Sequence, residues 1–592
     1  MRTPGLGPIE RPLPSGANAP AFGSDVIADT LRALDIPYIA LNPGASYRGL
    51  HDSLVNYLGN STPQMLLCLH EESAVAIAHG YAKVTGRAMA VALHSNVGLM
   101  HATMAIFNAW CDRMPVLLLG ATGPVDAVKR RPWIDWIHTA RDQGALVRPY
   151  TKWDDQPASP GAAREALMRA MWIANATPQG PVYVNLDAEM QEAKLPEPLP
   201  PVDVARFMPP VASAPDAAAI DQAASLLKAA KNIVMLIGRV SRNEGTWAAR
   251  VRLAEALNAR VITCLKTAAS FPTDHPLHLG APAVLTPDAE GLSALAKADV
   301  ILSLDWVDLA GTLKAAKAPA PNVKVISVTI DHQIHNGWSM DHQGFAPVDV
   351  MLAADPEQAV PLLAQTLGNT AARPAPVDTK VKQKLADGPL AVEHLARALR
   401  ETAGDRPVSL THLPLSWNGA WWPFRHPLDF LGSDGGGGLG AGPGHTVGAA
   451  LALKGTGRIP IGICGDGDFL MGVTALWTAA HYRIPLLIVV ANNRSFYNDE
   501  VHQERVARMR SRPVENKWIG QRISDPDIDL AALARAQGAL GFGPIEDVSQ
   551  LAPNFAKAIA AVEEGQIAVV DVRVAPGYTP AMTAAVSNAE RK

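Results

Sequence analysis

Between Cys464 and Asn493 the chain reads "CGDGDFLMGVTALWTAAHYRIPLLIVVANN", with an acidic turn at one end and two asparagines at the other. "RIPIGICGDG" is an apolar run that predicts a strand, so Asp466, between Gly465 and Gly467, lies at its carboxyl end. Open parallel sheets bind ligands at that edge. "FLMGVTALWTAAHY" has the pattern of a crossover helix, and "IPLLIVVANN" is the next strand, ending at Asn492 and Asn493. A right-handed crossover sets the carboxyl ends of neighbouring parallel strands side by side. Asp466 and Asn493, 27 positions apart (493 − 466), are thereby expected to meet. One carboxylate, one carboxamide oxygen and a backbone carbonyl form a hard oxygen set. Such a set suits Mg²⁺ or Ca²⁺ and leaves coordination positions open for substrate phosphates.

Three further stretches hold chemistry-bearing residues. In "LLCLHEESAVAIAHGYAKVTG" a strand ends near His70 and a helix begins with Glu71 and Glu72. Taken alone, that acidic pair reads as helix-dipole compensation. "SDGGGGLGAGPGHTVGAALAL" is a glycine run leading straight into a helix, with Gly438 and Leu439 inside it. His94 ends a strand in "ALHSNVGLMHATMAIFNAW", and His275 lies in "FPTDHP". Each histidine has a plain alternative as a hydrogen-bonded structural residue.

The elements that must position these residues alternate as βα units. "PYIAL", "MLLCL", "AMAVAL", "PVLLLG" and "PVYVNL" form a first series of strands. "NIVMLIG", "ARVIT", "DVILSL" and "VKVISV" form a second; "PVSLT", "IPIGICG", "PLLIVVANN" and "AVVDVRV" form a third. Alternating apolar strands and helices imply parallel sheets covered on both faces. The expected fold is therefore α/β, with three doubly wound parallel-sheet domains at 24–194, 216–367 and 385–575. Linkers are expected at 195–215 and 368–384, a loose arm at 1–23 and a tail or lid at 576–592. A chain of 592 residues exceeds what a single core supports, in keeping with several domains.

The net charge of −4 gives no reason to expect a nucleic-acid or anionic-membrane partner. The four cysteines, Cys68, Cys111, Cys264 and Cys464, lack CxxC spacing and suit a reducing, cytoplasmic setting. The N-terminus has no apolar signal region, and no run of about 18 apolar residues predicts a membrane span.

The Gly-Asp-Gly to Asn-Asn stretch resembles the binding signature of thiamin diphosphate (ThDP)-dependent enzymes. The resemblance covers residues 24–575, with all three domains in family order. It implies that the first domain binds the aminopyrimidine and the third the diphosphate. Asp466, the Asn493 side chain and the Ser495 backbone carbonyl would hold Mg²⁺ against the diphosphate, with Gly465 and Gly467 lining the cofactor. Glu71, rather than Glu72, would meet the aminopyrimidine, by the match through "AVAIAHGYAKVTG". Leu439 would sit beneath the cofactor and enforce its bent conformation, with Gly438 beside it. Asp468, where relatives often carry a small residue, departs from the pattern and is expected to turn away from the phosphates.

Within the family the chain resembles benzoylformate decarboxylase, with acetolactate synthase-like proteins next. "LNPGAS", the "ALHS" segment, "TALWTAAHYRIP" and "ATPQGPVYV" carry this. His94 and His275 would then be active-site histidines. The implied activity is a lyase reaction: non-oxidative decarboxylation of a 2-oxo acid to an aldehyde through an enamine. A carboligase of acetolactate synthase type, a 2-hydroxyacyl-CoA lyase and a non-catalytic ThDP-fold protein are the alternatives. FAD is possible in the carboligase branch but has no support in the sequence. The family's active-site serine falls on Ala45, with Ser46 one residue late, so a hydroxyl is expected to be lost. Trp417, Trp421, Trp422 and Phe424 read either as a pocket lining or as packing. The resemblance implies a homodimer or homotetramer with active sites shared between subunits; Glu71 and Asp466, 395 positions apart (466 − 71), assign the two ends of the cofactor to different domains.

Overall fold

The structure is a computed structural model that describes residues 9–17, 19–209, 213–284, 286–318, 322–331, 345–368 and 388–578. It contains three all-parallel sheets, as the alternation of apolar strands and helices predicts. The first has the order β2-β1-β3-β4-β6-β5. Its strands are β1 (Tyr38–Leu41), β2 (Gln64–Leu67), β3 (Met89–Leu93), β4 (Val116–Thr122), β5 (Asp154–Asp155) and β6 (Val182–Asp187). The second, β11-β10-β9-β7-β8, is built from β7 (Ile233–Ile237), β8 (Arg260–Ile262), β9 (Val300–Leu304), β10 (Lys324–Val328) and β11 (Val350–Leu352). The third, β12-β13-β14-β16-β15, comprises β12 (Val408–His412), β13 (Ile459–Gly465), β14 (Leu486–Asn492), β15 (Leu540–Ile545) and β16 (Ile567–Arg573). Central strands such as β3, β4 and β14 are buried along their whole length, which is why they read as unbroken apolar runs. The strands missing from the sequence reading are β5, β11 and β15, each at a sheet edge. An edge strand needs fewer apolar residues, and β15 even carries "GFGP".

By contacts the chain divides into two units. One comprises Met1–Ala212, Asp434–Arg458 and Gly472–Pro485; the other comprises Ser213–Ser433, Ile459–Met471 and Leu486–Lys592. Glu71, His94, Gly438 and Leu439 belong to the first unit. His275, Gly465, Asp466, Gly467, Asn493 and Ser495 belong to the second.

Several local expectations change. The single crossover helix after Asp466 is two helices, Asp466–Gly472 and Ala475–Tyr482, parted at Val473 and Thr474. The chain leaves the helix at Gly472, where a Cβ would lie 2.2 Å from the Gly440 carbonyl oxygen. The N-terminal arm is tied down at Glu10, whose carboxylate accepts from Tyr482 Oη at 2.9 Å and meets His481 Nε2 at 3.0 Å. The tryptophan-rich stretch is core: Trp417, Trp421, Trp422 and Phe424 are buried among residues of β12, β13 and β16. Trp417 and Trp421 pack edge to face, and Phe424 stacks on Phe430. Apart from Gly368, the linker expected at 368–384 lies outside the described residues, as does the tail beyond residue 578. The tail's first residues run along the helix Tyr497–Met509, where Tyr578 Oη donates to Asn498 Oδ1. No helix among the described residues is long and apolar enough to cross a membrane.

Candidate active site

In the second unit, β13 and β14 are paired in parallel, with Gly465 beside Ala491. Asp466 therefore leaves the sheet next to the end of β14. Its Oδ1 accepts from Gly467 N at 2.8 Å and its Oδ2 from Ser495 N at 3.0 Å. The same Ser495 amide donates to Asn493 Oδ1 at 2.9 Å, so the carboxylate and the carboxamide oxygen converge on one N–H. A left-handed Arg494 (φ 56°) turns the chain to make this possible. Burial pushes the Asp466 carboxyl above its ordinary range, against the backbone amides that lower it. A bound cation would offset that desolvation, and each oxygen has lone-pair capacity beyond its single amide bond. The donor set thus fits a hard cation such as Mg²⁺.

The surroundings of this corner are fixed by buried polar pairs. Asn492 donates to Asp571 Oδ1 at 2.8 Å, and Ser495 Oγ donates to Glu500 Oε1 at 2.6 Å. The unexpected Asp468 is buried and turns to His412 on β12, with 3.2 Å between Oδ2 and Nε2. Its carboxylate thereby faces a histidine inside the protein.

The first unit builds a different kind of site. Glu71 opens the helix Glu71–Thr85 and is only 5% exposed, while its neighbour Glu72 is half-buried. Glu71 Oε2 lies 3.0 Å from Nδ1 of His101 on the helix Ser95–Cys111. His70 caps the Glu71 helix by accepting from Glu72 N, and its ring stacks on His101 at 5.2 Å. His94, at the end of β3, has Nδ1 2.8 Å from Ser46 Oγ and packs edge to face against His138 at 4.6 Å. Burial chiefly, together with His138, holds the His94 imidazole below its ordinary value; the Glu71 charge pulls the other way. A Cβ on Gly44 would fall 2.2 Å from His94 Cβ, so only glycine lets the turn approach this ring.

The expectation of a lost hydroxyl is corrected here. Ser46, one residue late in sequence, is carried by a short 3₁₀ turn, Ala45–Tyr47, which directs its Oγ to His94 and to the amide of Ser95.

The glycine run is held against the Ser95 helix. Asn108 brackets Gly438, accepting from its N–H at 3.3 Å and donating to its carbonyl at 3.4 Å. Asp112 Oδ1 accepts from Gly435 N at 2.9 Å. The close approach the glycines permit is therefore to this helix; Leu439 remains 43% exposed. The run leads into the helix Ala441–Leu453, which meets the Glu71 helix so closely that a Cβ on Gly448 would lie 1.8 Å from Ile77 O. Beneath lies a buried network: His445 to His79 at 2.9 Å, with His79 and Lys83 on Asp112 at 3.0 and 2.8 Å. Burial alone would raise the Asp112 carboxyl, but Lys83 and His79 hold it below the usual range.

His275 has its ring nitrogens engaged locally. Nδ1 accepts from Leu277 N at 3.1 Å and Nε2 faces Glu255 at 3.3 Å, which are the contacts of a turn residue in the central sheet's unit. His101 and His138 are missing from the sequence reading, and Ser46 enters it only as a serine one residue late. A signal for His101 was available: His94, Gly98 and His101 are spaced four and three apart, one face of a helix start.

Comparison with known proteins shows the family. Three family models match: the thiamine pyrophosphate enzyme N-terminal TPP-binding domain over 22–146, the central domain over 220–361 and the C-terminal TPP-binding domain over 415–572. A benzoylformate decarboxylase of Pseudomonas aeruginosa is 28% identical over 449 residues, 73% of this chain and 79% of that protein. A probable acetolactate synthase large subunit of Methanocaldococcus jannaschii is 25% identical over 550 residues, 87% of this chain and 86% of that one. In fold, the chain is similar to the benzoylformate decarboxylase of Polynucleobacter necessarius, with TM-score 0.78, 22% identity, and 95% and 100% of the two chains covered. It is also similar to a 4-hydroxybenzoylformate decarboxylase of Rhodococcus jostii, with TM-score 0.77, 24% identity and coverage of 94% and 100%. With all three family models matched in order and both TPP-binding domains among them, the chain belongs to the thiamin diphosphate-dependent enzyme family.

Proposed function

We propose that the chain is a ThDP- and Mg²⁺-dependent lyase that decarboxylates a 2-oxo acid, without oxidation, to an aldehyde. The observation that carries this reading is the presence in the first unit of a buried Glu71 and, feeling its charge, a desolvated His94 set by Ser46. Its lowered value makes the protonated His94 ring a readier acid, and the ring lies within electrostatic reach of Glu71. That is the arrangement a proton donor and acceptor requires beside a reacting carbonyl.

Each residue has a part. Asp466, Asn493 and the Ser495 carbonyl would hold Mg²⁺ and, through it, the diphosphate. Gly465 and Gly467 would flank that corner, and Leu439 beside Gly438 would support the rings. Glu71 would hold a proton at the aminopyrimidine nitrogen. The bound cofactor would supply the electron sink for the carbon that loses CO₂. His94 would deliver the proton that replaces the carboxyl group. His275 is assigned no part, since its ring is committed to a turn.

A carboligase of acetolactate synthase type is the second reading, favoured by the longer match to that relative, 550 residues. The experiment is to supply ThDP and Mg²⁺ and follow CO₂ and aldehyde across a panel of 2-oxo acids. Equimolar CO₂ and aldehyde is the expected result. CO₂ with an acyloin or acetohydroxy acid instead of aldehyde would favour the carboligase, and no CO₂ from any member would sink both.

A further inference from the structure

Glu71 is a buried carboxylate at the start of a helix, and a proton that reaches it needs a path to water. Its carboxylate meets His101, through Oε2 and Nδ1 at 3.0 Å. The two differ sharply in exposure: the Glu71 side chain is 7% exposed and that of His101 53%. His101 is also oriented from a second side, by stacking on His70, which itself caps the Glu71 helix. Gly98, one turn before His101, leaves room for the carboxylate, since a Cβ there would sit 3.3 Å from Glu71 Oε1. The ring thus stands between a buried acid, met through Nδ1, and the protein surface.

We propose that His101 is a positioning and proton-relay residue for Glu71, holding Oε2 in place and passing protons between it and solvent. This rests on the reading of Glu71 as the carboxylate that serves the cofactor. In the relay, the O–H bond at Glu71 Oε2 breaks as the Nδ1–H bond of His101 forms. The Nε2–H bond then breaks and its proton goes to water, so the ring is neutral again and one proton has left the buried acid. The reverse sequence delivers a proton. Imidazole is suited to this because each nitrogen can donate or accept. The other ionisable groups near the pair are His70 against the ring, and Tyr47 and His94, both of which feel the Glu71 charge.

The test uses the full chain with ThDP and Mg²⁺, comparing wild type with His101→Ala, His101→Asn and Glu71→Gln. Calorimetry in two buffers of different ionisation heat gives affinity and the count of protons exchanged on ThDP binding. Quenched NMR gives the hydrogen–deuterium exchange rate at the cofactor's C2. His101→Ala and His101→Asn are expected to keep ThDP affinity within about threefold and the proton count unchanged, because a relay alters rates and not equilibria. Exchange is expected to slow by about tenfold or more, and free imidazole is expected to restore part of it in His101→Ala. Exchange that stays at the wild-type rate overturns the relay, and so does slow exchange that imidazole leaves unmoved. Exchange that Glu71→Gln also leaves unmoved overturns the function assigned to Glu71, and the relay with it. Loss in Glu71→Gln with no change in either His101 variant overturns the relay alone.

Discussion

The two candidate sites, one in each unit, are made of different materials. At Asp466 the geometry is set by backbone: two peptide amides, a left-handed Arg494 and the ends of two paired strands bring a carboxylate and a carboxamide together. At Glu71 it is set by side chains drawn from far apart: Ser46, His70, His94, His101 and His138. A backbone corner offers fixed oxygens to a hard cation and has little to titrate apart from Asp466 itself. A histidine cluster around one buried carboxylate offers proton carriers whose state depends on their neighbours. The first suits holding and the second suits proton transfer.

The largest expected effect tests the holding site. Asp466→Ala removes the buried carboxylate while the diphosphate keeps its charge, and ThDP affinity in Mg²⁺ should fall by roughly 10²–10³-fold or more. Calorimetry reads this directly, and affinity equal to wild type would break the comparison. Chelating the metal from wild type should mimic the variant.

Glu71→Gln should do the opposite, keeping ThDP bound while C2 exchange and turnover fall by roughly 10²–10⁴-fold. If the working unit is a homodimer with shared sites, Glu71→Gln and Asp466→Ala chains refolded together should regain activity that neither has alone. Proven mixed dimers without activity would count against sharing.

His94 sharpens the contrast through pH. Its folded value is pushed below the ordinary 6.5, so its contribution to stability is full above 6.5 and is lost as pH falls through the lowered folded value. His138 is one of the causes, so His138→Gln should raise the His94 value and move the alkaline limb of the rate profile to higher pH. A limb that stays put would separate His94 from the rate. Replacing His94 by Ala should cut turnover by roughly 10²–10⁴-fold with ThDP still bound.

A smaller change should divide the sites by packing. Gly448→Ala forces the Ala441 helix off the Glu71 helix and should cost about 1–3 kcal/mol, read as a lower denaturant midpoint. It should slow C2 exchange more than it weakens diphosphate binding. The smallest effect is expected from His275→Ala: about 1 kcal/mol of stability from lost turn contacts and little change in turnover. A drop of a hundredfold or more would return His275 to the active site its sequence position suggested.

The legibility of the two sites differs for the same reason that their materials do. Asp466 and Asn493 are separated by one βα crossover, and the apolar runs on either side state where the strands end. That makes the meeting of the two residues a property of local pattern and chain handedness. Glu71 could be placed at a helix start, but nothing in its own segment states that His101 takes its second oxygen. The heptad spacing of His94 and His101 hints at a shared face and gives no partner.

The sequence by itself determined the three parallel sheets, the residues at their carboxyl ends and the meeting of Asp466 with Asn493 at one corner. Periodicity and strand ends are local, and they survive translation into structure. Only the tertiary structure decided that Ser46 supplies the hydroxyl to His94, because a 3₁₀ turn offsets the register by one residue. It decided that Asp468 answers to His412, that the tryptophans of 417–422 are core, and that the glycine run lies on Asn108 and Asp112. Each of those outcomes depends on which surfaces close on one another, and long-range burial is set by the packing of the whole unit rather than by any stretch within it.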